Sequence, residues 1–282
     1  MFKRISNEEA GEVFYMRVTS CFIVAELYRV LSDDLRGSLR EIYMRLVIDE
    51  LPMVRRAAAQ VFWSVAGYAE TEVVLDEYLQ VMKSFATDEF QTVRVIGTEN
   101  LLPYLKLLKK MKTPQAVAAA SELLPLVKAA CEDLSWRIRL AISKNFGDFS
   151  TMFTAEEILN DIFPLGILLI QDNEPDVRTN CLKGMLSFQA IVPHDVYISD
   201  LMPVAMNLVE DPFLTARKLL AELCIDVAAK VRISTMFYVL RRLTSHDHPS
   251  DTLLQRPSLH VCMCVCPNIC PSVSLHVFLT YW

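Results

Sequence analysis

The residues best equipped for chemistry are the least regularly placed. The stretch 246–282 holds His246, His248, His260 and His276 with Cys262, Cys264, Cys266 and Cys270, interrupted by proline and serine. Thiolates and imidazoles can ligate zinc, but structural zinc sites use paired C-x2-C knuckles, whereas this run reads C-x-C-x-C-x3-C. Nothing around it reads as a folding unit. We expect no metal site, and a tail that is disordered or the product of translation past the correct end of the reading frame. The rest of the chain holds one histidine, His194, beside Asp195. General acid/base work needs several groups converging in a cleft, so His194 reads as the cap of a helix start, and no catalytic residue or cofactor is expected.

Two further charged features invite a chemical reading. Lys106, Lys109, Lys110 and Lys112 form the one compact basic run, without the interleaved aromatics that stack on nucleic acid bases, so it reads as a solvated loop. Gly97, Gly147 and Gly184 do not build a phosphate-binding loop. The second feature is a set of regularly spaced arginines. Arg17, Arg55, Arg94, Arg139, Arg178 and Arg217 are separated by 38, 39, 45, 39 and 39 residues. Six positions before each lies Asp49, Asp88, Asp133, Asp172 or Asp211, with Gly11 replacing the acid in the first copy. Columns of opposite charge at one spacing suit a ladder between adjacent units, the Asp also capping a helix; single exposed ion pairs contribute only about 0–1 kcal/mol.

The elements that carry these columns follow from the apolar pattern. Before each Arg stands Met16, Val54, Val93, Ile138, Val177 or Ala216. From there a stripe runs at helical spacing, as Val54, Ala57, Ala58, Val61, Phe62 and Val65, or Val177, Cys181, Met185 and Phe188. A second amphipathic segment precedes each turn, with Leu39, Ile42, Tyr43 and Leu46 before Asp49, and Val74, Tyr78, Val81, Met82 and Phe85 before Asp88. Each unit is therefore a helix pair. Pro52 suits a first helical position. Pro125, Pro164 and Pro203 fall inside first helices and should bend them, while Glu41 and Gln80 in the same column predict straighter ones.

A period near 39 with helix pairs defines an all-α solenoid of about six units, because one hairpin cannot enclose its own apolar face. We place it at 1–245, with 246–282 as the tail. The six extra residues of the 45-residue interval are expected in a longer loop over 106–114. The chain opens inside the first helix of a unit and shows no obvious polar caps, so a truncated array is expected that frays, self-associates or depends on a partner.

Composition narrows the function. The 282 residues are 52% hydrophobic with 7 glycines, and the net charge of −6 gives no basic field for nucleic acid or an anionic membrane. The N-terminus lacks the apolar core of a secretory signal, and the nine-residue run from Ile162 to Ile170 is too short to cross a bilayer. Cys21, Cys131, Cys181 and Cys224, scattered on helical patterns, suit reduced core thiols in the cytoplasm or nucleus.

The helix pairs and the D-x4-V-R-x-x-A turn resemble HEAT repeats. DELPMVRRAAA at 49–59, DEFQTVR at 88–94, EDLSWRIR at 132–139 and DNEPDVR at 172–178 are similar, in this order, to consecutive units of the scaffold (A) subunit of protein phosphatase 2A. The resemblance covers residues 11 to about 230. It implies a non-catalytic horseshoe whose turns form a ridge for a regulatory (B-type) subunit, and further along for the phosphatase catalytic subunit. Carried onto this chain, the contacts it implies are Glu50, Leu51, Pro52, Met53, Arg55, Arg56, Glu89, Phe90, Ser135, Trp136, Glu174 and Pro175. This sequence lacks the later units that should carry the catalytic subunit, so a regulatory subunit is the better-supported partner.

Trp136 could serve as an interface anchor or fold back over the seam between units. Phe14, Phe90 and Phe213 occupy comparable turn positions. An alternative function is a general HEAT adaptor of transport-receptor type. An enzyme on the same scaffold is disfavoured, because the His-Glu dyads that a di-iron hydroxylase of this architecture would need do not recur.

Overall fold

The structure is a computed structural model and describes residues 14–230. Gly11, the expected boundary at 245 and the Cys/His tail lie outside the described residues, as does the side chain of Phe14. Every regular element among the described residues is helical. The first, α1 (Phe14–Val30), carries Arg17 of the arginine column and so corresponds to the second helix of the later pairs. The next pair is α2 (Asp33–Val47) with α3 (Pro52–Ala66). Then α4 (Thr71–Leu75) and α5 (Glu77–Ala86) together precede α6 (Gln91–Met111). In the fourth unit α7 (Pro114–Ser121) and α8 (Leu124–Cys131) precede α9 (Trp136–Ser143), which is followed by a 3-10 segment, Phe146–Thr151.

The fifth unit runs α10 (Ala155–Glu157), a π-turn at Ile158–Ile162 and α11 (Phe163–Ile170), then α12 (Pro175–Met185). The sixth runs α13 (His194–Val196), a π-turn at Tyr197–Leu201 and α14 (Met202–Ala205), then α15 (Leu214–Lys230). Second helices α1, α3, α6, α9, α12 and α15 pack each on the next, forming one layer of a solenoid, and the first helices lie against them as the other.

The apolar stripes are what hold the layers together. Val54, Ala57, Ala58, Val61, Phe62 and Val65 are all buried, as are Val177, Cys181, Met185 and Phe188. Met16 departs from the column at 37% exposed. Phe62 is a hub, its ring meeting Tyr78, Phe85 and Tyr104 at 5.9, 6.0 and 5.6 Å. Buried tyrosines keep their hydroxyls satisfied: Tyr43 donates to the Ala58 carbonyl at 2.8 Å and Tyr197 to that of Met185 at 3.1 Å. Two glycines set the spacing of the second-helix layer. A Cβ on Gly184 would lie 2.7 Å from the Gly147 backbone nitrogen, so neither position accepts a side chain without moving the neighbouring unit.

Several expectations are corrected. The six extra residues lengthen α6 rather than a loop, and the lysine run is helical up to Met111. The cause is that Leu101, Tyr104, Leu105 and Leu108 continue the buried stripe at helical spacing, strongly enough to carry Pro103 inside the helix. Proline does break the first helices, at Pro125 by splitting α7 from α8, and at Pro164 and Pro203 beside π-turns. The Gln80 helix is nevertheless not straight. It breaks at Asp76, whose backbone (φ −113°, ψ −79°) separates α4 from α5, while the Glu41 helix α2 is continuous. His194 caps nothing: Pro193 takes the cap position and His194 opens α13, exposed beside exposed Asp195.

Candidate functional site

Each turn between first and second helix is built by one aspartate and one arginine. Asp49 does not cap α3. Its Oδ1 accepts from the Leu51 N–H at 2.9 Å, two residues on, and Leu51 itself stands at the cap position. The same bond joins Asp88 to Phe90, Asp133 to Ser135, Asp172 to Glu174 and Asp211 to Phe213, at 2.8, 2.8, 2.9 and 2.8 Å. The aspartate therefore shapes the turn before the helix begins, which corrects the helix-capping expectation.

Its Oδ2 accepts from the arginine of the preceding unit, which at Asp88, Asp133 and Asp172 donates to Oδ1 as well. Arg17 reaches Asp49 at 2.8 Å, and Arg55 grips Asp88 with Nε and Nη2 at 2.7 and 3.1 Å. Arg94 grips Asp133 at 3.1 and 3.4 Å, Arg139 grips Asp172 at 2.5 and 3.0 Å, and Arg178 Nε meets Asp211 at 2.9 Å. From the same guanidinium, Arg55 Nη1 donates to the Asp49 and Glu50 carbonyls of its own turn, and Arg94, Arg139 and Arg178 repeat this. Arg217 donates to the Asp211 carbonyl of its own turn. Each arginine from Arg55 to Arg178 thus staples its own turn to the next one.

These pairs are half-buried or deeper, so they differ from surface ion pairs: the Asp172 side chain is 5% exposed and that of Arg139 18%. Burial opposes ionisation of Asp172, but hydrogen bonds from Arg139 and the Glu174 N–H, with the charges of Arg139 and Arg178, outweigh it. Its carboxyl is held below the usual carboxylate range. The Asp88 hydrogen bond raises the Arg55 guanidinium above its ordinary value, and the Asp172 bond does the same for Arg139.

The ladder presents a row of turn residues outward. Met53 is 55% exposed, Phe90 44%, Leu134 100%, Trp136 37% and Phe213 48%. Arg56, Glu50 and Glu89 are exposed among them, while Leu51, Pro52, Arg55, Ser135, Glu174 and Pro175 are half-buried and shape the turns. Pro52 and Pro175 open α3 and α12, and Trp136 opens α9 rather than sitting in the turn. Trp136 is overlaid by the Arg137 guanidinium at 4.7 Å from its ring, and Phe90 by that of Arg55 at 5.5 Å. These cations hold the rings in place while leaving part of each in solvent.

Leu134 is the ridge residue that the spacing of columns does not pick out. Its signal in the sequence is an aliphatic side chain directly after the column aspartate, where Glu50 and Glu89 stand in earlier units. The ridge offers apolar anchors ringed by both charge signs, which is recognition chemistry. Among the described residues no group of three or more His, Cys, Asp or Glu is placed to hold a metal ion, and no helix is long and apolar enough to cross a membrane.

The fold and ridge define a helical-repeat solenoid of the HEAT and armadillo kind. The chain superposes on an engineered protein with TM-score 0.54 at 11% identity, covering 81% of this chain and 96% of the other. A designed armadillo repeat protein gives TM-score 0.50 at 12% identity, covering 80% of this chain and 98% of the other. A chain from the Pds5–Scc1 complex gives 0.52 at 13%, covering 86% and 40%. In sequence the chain is similar to the A-type regulatory subunit of protein phosphatase PP2A from Schizosaccharomyces pombe, 24% identical over 143 residues, which is 50% of this chain and 23% of the relative.

It is similar also to a probable PP2A regulatory subunit of Caenorhabditis elegans, 27% identical over 110 residues, or 39% of this chain and 18% of the relative. The A-alpha isoform of the 65 kDa regulatory subunit of protein phosphatase 2A from Arabidopsis thaliana is 35% identical over 79 residues, 28% of this chain and 13% of the relative. The matched stretch is thus under a quarter of these relatives' length. No family model matches the chain.

Proposed function

We propose that this chain is a non-catalytic scaffold in phosphatase regulation, holding a regulatory subunit of B type along its ridge of turns. The observation that carries the reading is the row Met53, Phe90, Leu134, Trp136 and Phe213, exposed at the turns and held in register by the arginine–aspartate ladder. A protein that leaves aromatic and aliphatic side chains in solvent on one edge exposes a surface suited to a partner. The similarity to A-type regulatory subunits of PP2A supports the choice of partner class. The geometry has no need of a cofactor, and the catalytic subunit is not assigned to the described turns.

The experiment is a pull-down with the full chain as bait. Retention of a phosphatase B-type subunit from lysate, lost in Leu134→Asp/Trp136→Ala with unchanged folding, supports the reading. Failure of the folded chain to retain any such subunit, while a full-length PP2A scaffold does, refutes it. Retention of other cargo through the opposite edge of the helices would favour the adaptor of transport-receptor type instead.

A further inference from the structure

A second charged feature lies at the far end of the same helix layer. Lys106, Lys109 and Lys110 occupy the last turns of α6, and Lys112 follows as its C-cap. With Trp63 and Pro103 they line an open groove of about 540 Å³. At 1.5 Å rise per residue the groove lies roughly 27 Å along α6 from the turn that Gln91 opens, well away from the ridge. Its apolar part is Trp63, 40% exposed on α3, and half-buried Pro103.

Part of this charge is used within the fold. Lys106 Nζ lies 2.6 Å from Asp148 Oδ2, and Lys109 donates to the Thr151 carbonyl at 2.5 Å. The side chains of Lys110 and Lys112 have no ion pair or hydrogen bond among the described residues. The partial negative charge of a helix C-terminus is offset by a cation or two in the last turn, and Lys109 and Lys110 would suffice. Lys112 goes beyond that need, and its backbone is left-handed at φ 54°, the one such non-glycine among the described residues. Glycine or asparagine takes that position with less strain. A lysine held there adds a fourth like charge to one open groove of a chain that is net acidic, where clustered charge of one sign strengthens the local field.

We propose that this groove binds an acidic peptide segment of a partner protein, with carboxylates at Lys109, Lys110 and Lys112 and an apolar side chain against Trp63 and Pro103. Charge complementarity selects an anion, and the Trp63–Pro103 floor selects one that carries an apolar group. A nucleic acid would find one aromatic where strand binding uses a series. A membrane surface would meet a few lysines on a chain whose net charge of −6 repels an anionic bilayer. The inference stands independently of the ridge.

The test uses the full chain and a fluorescein-labelled peptide of about ten residues, glutamates flanking a central leucine, read by anisotropy at about 50 and about 300 mM salt. We expect saturable binding that weakens with salt, falls at least about tenfold in Lys110→Glu/Lys112→Glu, and falls at least about threefold in Trp63→Ala. Trp136→Ala should leave it unchanged, which separates this site from the ridge. Circular dichroism checks folding, and Lys110→Gln/Lys112→Gln makes the same comparison if the reversal unfolds the chain. The proposal is overturned by no saturable binding, by equal binding to the folded double variant, or by tighter binding of oligo(dT) or of phosphatidylserine vesicles than of the peptide.

Discussion

Arg139 binds Asp172 of the next turn through Nε and Nη2 at 2.5 and 3.0 Å while its Nη1 binds the Asp133 carbonyl of its own turn at 2.7 Å. One side chain thereby joins two units. Breaking a half-buried, bidentate pair strands the surviving charge. Asp172→Ala should cost about 2–4 kcal/mol in urea unfolding, and more than Asp172→Asn, which keeps an acceptor for the Glu174 N–H. A double-mutant cycle with Arg139→Ala should give a coupling of about 1 kcal/mol or more; additive losses would show that the pair does not act as one.

Acid should weaken the array through the same residue. The folded-state value of Asp172 is depressed, so the unfolded chain binds the proton more readily than the folded one. Its stabilisation is therefore complete above the unfolded aspartate value near about 4, and is lost as pH falls below that toward the depressed value. Unfolding midpoints of wild type should drop over this range, with a shallower fall in Asp172→Asn. Parallel curves would remove Asp172 from the account.

Gly184→Ala should destabilise by about 1–3 kcal/mol, since its Cβ would meet the Gly147 nitrogen at 2.7 Å and backbone cannot swing aside. Gly37→Ala, on α2 with nothing within 4 Å, should instead be neutral or stabilise by about 0.5–1 kcal/mol. Thermal unfolding of the two variants distinguishes spacing from helix propensity.

The described thiols should be inert. Burial, with the Asp49 charge, pushes Cys21 up to about 12, and burial pushes Cys224 up to about 11. Cys131 and Cys181 are raised as well, first by burial. Alkylation by iodoacetamide near pH 8 should leave all four unmodified in the native protein and modify them in urea, read by peptide mass mapping. Rapid native labelling of Cys181 would contradict the packing of α12.

Leu134→Ser should leave unfolding within about 0.5 kcal/mol of wild type, because a side chain 100% exposed loses no packing. A large loss of stability would mean that Leu134 is covered in solution by something other than water.

The repeat was legible because its signals are local. The Arg and Asp columns, the stripe from Val54 to Val65 and Pro52 at a helix start all depend on spacing along one helix or one turn, and spacing is written in the chain. The lysine run misled for the converse reason. Charge and a nearby proline suggest a loop, but Leu105 and Leu108 are buried, and that burial outweighs the local cue. The break at Asp76 has no proline to announce it.

The sequence by itself determined that helix pairs recur near every 39 residues and which face of each is apolar, since helical periodicity needs no partner to be read. Only the tertiary structure decided that each aspartate from Asp49 to Asp211 shapes its own turn through Oδ1 while its Oδ2 accepts from the preceding unit's arginine, which at Asp88, Asp133 and Asp172 reaches Oδ1 as well. It also decided that Trp136 lies under Arg137, and that Lys110 and Lys112 share a groove with Trp63. These relations join residues on different helices or fix one side chain against another, and their geometry is set by how closely the units stack, down to the contact of Gly147 with Gly184.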